Sequence, residues 1–263
     1  MPVRVLCISD PACAWSWASE PGVHMLRTEF GGNLRFTFVM AGLARQFEPG
    51  VVQVEAILEA SAGSGMPVDP RLWLQSPPRS SYPACMAVVA AREQGEDACF
   101  RLLRELREGL MVFRRRLDTT EALIEAARTA GLDAERFRVD LGSSGTVEAF
   151  GSDLERAAEL SDGGQLPTFV FEADEAEPVV VGGVSSPAEL RGAATRAGAE
   201  PSGEDRPDPM GAIGRFGRLA TVEVAAICDL PALKAEADLL ALALQWRVRP
   251  VGVGGTGRLW EAA

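Results

Sequence analysis

The chain has 263 residues, of which 47% are hydrophobic and 24% charged, and its formal net charge is −11. This composition is ordinary for a globular protein, and the length allows one large domain or two modest ones. The acidic balance argues against nucleic acid as a partner. No stretch approaches the roughly 18 consecutive apolar residues that a membrane span needs, so no membrane partner is expected.

The cysteine and histidine content argues against a disulfide framework and against a metal site. The five cysteines are scattered, no pair has zinc-ligand spacing, and His24 is the only histidine. The N-terminal apolar run is too short for a signal peptide. We therefore predict a cytoplasmic protein whose thiols stay reduced.

The first elements predicted along the chain form a strand–helix–strand unit. Residues 3–9 are a short β-branched run that ends at an Asp-Pro pair, which indicates a buried strand. A helical pattern follows from about Cys13 to Phe30, and residues 34–40 alternate like a second strand. This order favours a parallel sheet with a right-handed crossover.

Helical patterns dominate the middle of the chain, and we predict an all-helical insertion over about residues 50–162. Strand character returns at residues 167–172 and 178–183, and a further helix is expected over residues 186–197. The predicted fold class is therefore α/β, with two strand-bearing halves separated by helices.

The C-terminal residues predict a separate small unit. Residues 199–210 are rich in proline, glycine and acids, which is typical of a linker that follows a first domain of residues 1–198. Residues 211–263 contain two helices at helix-turn-helix spacing and then a hairpin, a pattern that predicts a winged-helix-like unit. Acids offset Lys234 on the second helix, which favours protein docking over DNA contact.

Cys13 is the candidate nucleophile. It directly follows a strand and begins a helix, where backbone N–H groups and the helix dipole stabilise a thiolate over a thiol. We therefore predict a lowered pKa for Cys13, an exposed Trp15 beside it, and Trp17 in the core. Pro167 begins a later strand, where proline cannot donate to the ladder, and only X–Pro bonds adopt the cis form cheaply.

The string DPACAWSW at residues 10–17 resembles the motif of the DsbA-like thioredoxin superfamily, above all its cytoplasmic branch with Cys-x-Trp-Cys-Trp after Asp-Pro. Pro21, the Met-Ala-Gly-Leu string at residues 40–43 and the Leu-Pro-Thr string at residues 166–168 follow in the order typical of that branch. These short motifs together cover roughly residues 3–198. The resemblance implies a thioredoxin-like fold capped by the helical insertion, with a cis-proline loop that faces the cysteine across a groove.

Ser16 stands where this family has its second cysteine. A serine cannot resolve a mixed disulfide from within the motif. The resemblance therefore implies monothiol exchange, with Cys13 as the nucleophile and Ser16 as a hydrogen-bond donor to its thiolate. The residues that it implies for substrate binding are Trp15, Leu166, Pro167 and Thr168.

Three functional hypotheses follow. The first is a thiol-disulfide oxidoreductase for protein or small-molecule disulfides, which binds no cofactor and uses a low-molecular-weight thiol at most as a co-substrate. The second is a non-catalytic adaptor, since some relatives in this branch present client proteins for proteolysis, and the C-terminal unit would then contact the client. The third is an enzyme like the kappa-class glutathione transferases and chromene-carboxylate isomerases, which usually have serine in place of Cys13.

The other cysteines and the histidine are expected to be structural. His24 lies on the first predicted helix, where a catalytic role is not expected. The remaining thiols lie in strand or helical patterns and are predicted to pack as small hydrophobic groups: Cys7, Cys85, Cys99 and Cys228.

Overall fold

A four-stranded mixed sheet organises the N-terminal three-quarters of the chain in the computed structural model. The residues that the structure describes are 2–48, 50–161, 164–174 and 176–263. The strands are β1 (Val3–Ser9), β2 (Leu34–Met40), β3 (Thr168–Glu172) and β4 (Val179–Gly182). Their order across the sheet is β2-β1-β3-β4, with β1 parallel to β2, and with β3 antiparallel to both β1 and β4. This is a thioredoxin-like sheet, as the sequence predicted.

The central strand β1 is buried on both faces, which explains its continuous apolar sequence. Leu6 and Ile8 pack on one side with Val170 of β3, while Val5 and Cys7 belong to the large core on the other side. The carboxyl end of β1 therefore lies between packed layers, and the thiol motif begins directly after it.

The crossover between β1 and β2 contains two helices, α1 (Ala14–Ala18) and α2 (Glu20–Glu29), so the predicted helical stretch is interrupted, as the match of Pro21 to the proline that kinks the first helix of thioredoxins implies. The break falls at Ser19, two residues before Pro21. A proline has no N–H to donate to the carbonyl four residues back, and its ring crowds that carbonyl. The interruption leaves α1 as a short segment that presents the thiol motif.

Helices fill the predicted insertion between β2 and β3. They are α3 (Val51–Ser64), α4 (Arg71–Gln75), α5 (Tyr82–Ala91), α6 (Glu96–Met111), α7 (Thr120–Thr129), α8 (Ala134–Leu141) and α9 (Ser144–Leu160). The most deeply buried of them is α6, whose charged residues Arg104 and Arg107 also lie in the interior. The predicted end of the insertion at residue 162, like the predicted domain start at residue 1, lies outside the described residues.

The chain continues through a further helix into the C-terminal elements. They are α10 (Pro187–Arg196), α11 (Pro209–Phe216), β5 (Leu219–Ala220), α12 (Thr221–Cys228), α13 (Ala232–Leu244), β6 (Val248–Gly252) and β7 (Arg258–Ala262). Strands β6 and β7 pair antiparallel, and β5 adds to the other edge of β7. These elements share a small core of their own, which includes Ile213, Leu239 and Trp260.

The segment predicted as a linker at residues 199–210 is held against α2. The backbone N–H of Ser202 donates to the carbonyl of Glu29 at 2.8 Å, and the Arg206 guanidinium pairs with the Glu29 carboxylate. Its predicted end is wrong, because α11 already begins at Pro209, capped by the side chain of Asp208. An Asp-Pro pair is a helix-start signal that the linker-like composition obscured.

Among the described residues, none of the helices has the length and apolar character that crossing a membrane requires.

Candidate functional site

Cys13 is the N-cap residue of α1 and lies just beyond the end of β1. Its backbone N–H donates to the carbonyl of Asp10 at 3.2 Å, which closes the turn between strand and helix. Its Sγ accepts a hydrogen bond from the Ser16 N–H at 3.4 Å. The residue is nevertheless only 4% exposed. The thiol therefore has the predicted helix-terminal position without the predicted access to solvent.

The buried carboxylate of Asp10 organises the turn that carries Cys13. It accepts hydrogen bonds from the backbone N–H groups of Ala12 at 2.7 Å and Leu43 at 2.6 Å. The Cys85 thiol also donates to it, with Sγ and Oδ2 3.2 Å apart. Asp10 thus links the turn after β1 to the segment after β2 and to α5, and it fixes the position of the motif.

The loop before β3 lies directly against Cys13. The Cys13 thiol donates a long hydrogen bond of 3.9 Å to the carbonyl of Leu166, and the Leu166–Pro167 peptide bond is cis. Pro167 is buried, and its carbonyl accepts from the Gly183 N–H at 2.8 Å. The buried Thr168 hydroxyl donates to the carbonyl of Gln165 at 2.7 Å. Pro167 and Thr168 therefore support the loop from inside, and Leu166 is its half-buried member.

Burial raises the pKa of the Cys13 thiol above its ordinary value. The hydrogen bond from the Ser16 N–H opposes this shift, and the nearby negative charge of Asp10 adds to it. The prediction of a lowered pKa is wrong, because it considered the helix terminus without desolvation. The contact with the Leu166 carbonyl favours the protonated form as well, since only the thiol can donate to it.

Ser16 and Trp15 flank the thiol in different ways. Ser16 is buried, and its Oγ has no hydrogen-bond partner among the described residues. Trp15, which was predicted to be exposed, is half-buried and packs against the core. Its ring lines a cavity of about 380 Å³ with Val184 and with Val222 of α12. Trp17 is fully buried, as predicted, and its indole donates to the Pro67 carbonyl at 3.0 Å.

The other cysteines are buried and free, as is Cys13. Burial raises the pKa of Cys7 to about 12, of Cys99 to about 12 and of Cys228 to about 11. Burial and the adjacent Asp10 carboxylate raise the pKa of Cys85 as well. These thiols pack as core groups, in agreement with the prediction.

A buried charge cluster, which was not predicted from the sequence, lies next to the thiol motif. Arg104 of α6 donates to Glu223 of α12 at 2.9 Å, and its guanidinium stacks over the ring of Trp17. His24 Nδ1 lies 3.0 Å from the other carboxylate oxygen of Glu223, and Arg107 pairs with Glu20. The four-residue spacing of Glu20 and His24 predicts that they lie on one face of a helix. The pairing of Arg104 with Glu223 could not be predicted from local patterns, because 119 residues separate them.

Each of the two carboxylates in this cluster is paired with an arginine, Glu223 with Arg104 and Glu20 with Arg107. Burial alone would raise the pKa of Glu223, but Arg104 and the hydrogen bond with His24 lower it to about 2. Ligand atoms of Glu20, His24 and Glu223 lie within 4.8 Å of one another, a spacing that a metal ion could use. However, the guanidinium of Arg104 already lies between the two carboxylates, 3.5 Å from Glu20. The cluster is therefore an internal ion-pair network that joins α2, α6 and α12.

Comparison with known proteins agrees with this geometry. A family model described as Thioredoxin matches residues 7–189, which include the motif, the insertion and the loop before β3. The chain belongs to the DsbA-like thioredoxin superfamily. Within this superfamily, it is 32% identical to the ClpXP adapter protein SpxH of Halalkalibacterium halodurans, in an alignment that covers 99% of this chain and 89% of that protein.

Solved structures show the same fold at lower identity. A putative protein disulfide isomerase from Nitrosomonas europaea is 18% identical, with a TM-score of 0.67 over 74% of this chain and 97% of that one. The cytosolic disulfide reductase DsbM from Pseudomonas aeruginosa is 21% identical, with a TM-score of 0.60 over 73% of this chain and 97% of that one. Both structures leave about a quarter of this DsbA-like chain uncovered, whereas the SpxH alignment covers nearly all of it.

Proposed function

We propose that this chain is a protein adapter that presents client proteins for proteolysis, in the manner that the name of its SpxH relative indicates for that protein. The observation that carries the proposal is the state of Cys13. Its sulfur is buried, and burial raises its pKa, so the group on which oxidoreductase chemistry depends is held as a closed-off thiol.

The loss of the second motif cysteine supports the same function. Ser16 cannot form a disulfide with Cys13, and the remaining cysteines are buried elsewhere in the fold. A dithiol cycle therefore has no second sulfur to use. Selection for binding instead of catalysis would tolerate such a replacement, because Ser16 still donates its backbone N–H to Cys13 and preserves the turn.

The C-terminal unit supports an adapter as well. The alignment with the SpxH relative covers 99% of this chain and therefore includes this unit, whereas the structural neighbours described above cover about three quarters of the chain. Glu223 anchors the unit to α6 through Arg104. An adapter needs surfaces for a client and for the degradation machinery, and a fixed second unit adds such a surface without disturbing the thioredoxin-like part.

Trp15 and Leu166 are the site residues that we propose for client contact. Both are half-buried, and both lie beside the closed thiol. Pro167 and Thr168 are buried, and we propose that they shape the loop without touching a client. Cys13 and Ser16, which are buried, would then support this surface from inside without contacting the client.

The test is a measurement of protein half-lives in the native host. We expect at least one client to be stabilised several-fold when the gene is deleted. Wild-type chain and Cys13→Ala should restore its turnover equally, because the thiol is not needed. A deletion without any effect on half-lives would contradict the adapter function, and a failure of Cys13→Ala alone would show that the sulfur is required.

Monothiol disulfide exchange is the second candidate, and one observation favours it. The Cys13 sulfur retains the N-cap position of α1, with the Ser16 N–H at 3.4 Å and the Leu166 carbonyl at 3.9 Å. A local opening of the Leu166 loop would expose a sulfur already placed for attack on a disulfide, and an external thiol would then release the mixed disulfide. The low-molecular-weight thiol stays a co-substrate of this candidate only.

A trapping experiment separates the two candidates. Wild-type protein and Cys13→Ser would be incubated with oxidised glutathione at neutral pH and analysed by intact mass. If the chain is an adapter, neither protein should gain a glutathionyl adduct within an hour. Rapid formation of one adduct on the wild type, absent from Cys13→Ser, would favour disulfide exchange.

A further inference from the structure

Helix α13 carries an exposed apolar stripe that the fold leaves uncovered. Leu233, Ala237, Leu240 and Leu244 recur at four- and three-residue spacing, which places them on one face of the helix. Leu233 and Leu244 are 82% and 84% exposed. The opposite face, with Ala235 and Leu239, packs into the core of the C-terminal unit. The helix is therefore apolar on two sides, and only one of them packs against other described residues of the chain.

An exposed indole lies just beyond the end of the helix that carries the stripe. Trp246 follows the C-terminal end of α13 and is 86% exposed. Its φ of 59° places it in the left-handed region, which is an outlier for a bulky side chain. Large aromatic groups at such exposure are characteristic of interaction surfaces, where they supply much of the contact area.

The two ends of the stripe have opposite charge. The turn before α13 carries Asp229, whose side chain is largely exposed although one of its oxygens lies 3.9 Å from the Arg191 guanidinium. The segment after the helix carries Arg247, which is also exposed. When two copies of α13 lie antiparallel about a twofold axis, Leu233 of each copy faces Leu244 of the other. The same register brings Asp229 opposite Arg247 at both ends, and it aligns the helix dipoles favourably.

We propose that this chain self-associates through α13, as an antiparallel twofold dimer whose axis passes between Ala237 and Leu240. The small side chain of Ala237 at the centre allows close approach of the two helices, and the leucines on either side fill the contact. One twofold rotation places the leucines of the stripe against each other and the acidic end of each helix against the basic end of the other. This surface lies apart from Cys13 and is independent of the adapter function.

The dimer is expected to be weak. A stable interface buries about 800 Å² on each partner, and a single helix face with one indole supplies less than that. We therefore expect monomers at low concentration and dimers at high concentration, with half-association at roughly 10 to 100 µM.

Cysteine cross-linking tests the position of the axis. In Ala237→Cys the new thiols lie next to the twofold axis, so mild oxidation should link two chains at least tenfold faster than in Val139→Cys. Val139 is an exposed control position on α8. The native cysteines are buried, so they contribute little background. Equal rates for the two variants would overturn the proposal.

Sedimentation equilibrium tests the association and its charge pairing. The average mass should rise from 28.0 kDa towards twice that value for the wild type, and Leu244→Asp should abolish the rise. Arg247→Glu should weaken association several-fold, because it places two acidic groups at each end of the contact. A wild-type chain that stays at 28.0 kDa at millimolar concentration would overturn the dimer, and so would a stripe that binds only a separate acidic amphipathic peptide.

Discussion

At the residue scale, Cys13 is subject to two opposing effects. The start of α1 supplies an N–H donor from Ser16, which stabilises a thiolate. Burial removes the solvent that a thiolate needs, and this effect is the larger one, so the pKa of Cys13 is raised. The same position in the chain therefore supports a nucleophile or an inert thiol, depending on how closely the Leu166 loop covers it.

The raised pKa of Cys13 predicts its alkylation behaviour. With iodoacetamide at pH 7, we expect Cys13 to react much more slowly than an exposed model thiol. Its rate should keep rising through pH 9 instead of reaching a plateau near neutral pH, because only the thiolate reacts. Intact mass would follow the reaction, and Cys13→Ser would identify the contribution of this thiol. A plateau below pH 7 would contradict the prediction.

At the scale of elements, the segment after β2 has to pass close to its neighbours. Gly42 has a φ of 62°, a conformation that residues with a Cβ rarely adopt. A Cβ at this position would lie 2.7 Å from Leu154 of α9 and 2.8 Å from the ring of Tyr82. The adjacent Leu43 N–H donates to Asp10, so this close approach is also what holds the turn beneath Cys13.

Gly42→Ala is therefore expected to destabilise the protein. We expect a loss of about 1–3 kcal/mol in the free energy of unfolding, from overpacking and from the left-handed backbone together. The matched control is Gly151→Ala in α9, where a Cβ meets nothing within 4 Å. That change should be neutral or stabilise by up to about 1 kcal/mol. Urea unfolding measures both, and equal effects would contradict the steric explanation.

Docking of α12 on α2 and α6 depends on one carboxylate. Glu223 accepts from Arg104, lies beside His24, and also accepts the N–H of Ala220 at the start of its own helix. Removal of one member of a buried pair leaves the other charge without compensation. The network therefore stabilises the packing of α12 on α2 and α6 only when all of its charged members are present.

Glu223→Ala is expected to lower the free energy of unfolding by about 3–5 kcal/mol. Glu148→Ala, an exposed acid on α9, is the control and should change it by less than about 0.5 kcal/mol. Because the pKa of Glu223 is lowered from 4.5 to about 2, its contribution is complete above pH 4.5 and is lost as the pH falls towards 2. The difference in the free energy of unfolding between wild type and Glu223→Gln should therefore become smaller as the pH falls over that range. A difference that does not change with pH would contradict the prediction.

At the scale of the whole molecule, the C-terminal unit has its own small core but is not independent. Ala220 and Leu259 belong to the large core of the thioredoxin-like part, and Arg206 ties the connecting segment to Glu29. A short bridge between Val68 and Thr256 joins the insertion to the loop between β6 and β7. We therefore expect the two parts to unfold together.

Hydrogen exchange tests this coupling. Buried amides of α2 and α12 should exchange with similar free energies of opening, because separating the helices would expose the charge network. In Glu223→Gln, exchange in α12 should accelerate much more than exchange in the central strand β1. If α12 already opens in the wild type with a free energy several kcal/mol below that of α2, the units are only loosely attached.

Much of the secondary structure and the superfamily could be predicted from the sequence, because they depend on residues that are close together along the chain. The strands at residues 3–9 and 34–40 follow from their apolar and alternating patterns, and they occur with the predicted bounds. The motif around Cys13 and the Leu-Pro-Thr string identified the superfamily. The match of Pro21 to the helix-kinking proline of thioredoxins anticipated the interruption at Ser19, but the start of α11 at Pro209 lay inside the segment predicted as a linker.

Only the tertiary structure decided what those local signals mean together. The chemical state of Cys13 depends on a loop about 150 residues away along the chain, and the partner of Arg104 lies 119 residues away. Desolvation and ion pairing depend on distances in space, which local sequence patterns do not encode. The sequence by itself determined the elements, the superfamily and the placement of the thiol at a helix start, and the packing around that thiol determined that it is buried and protonated.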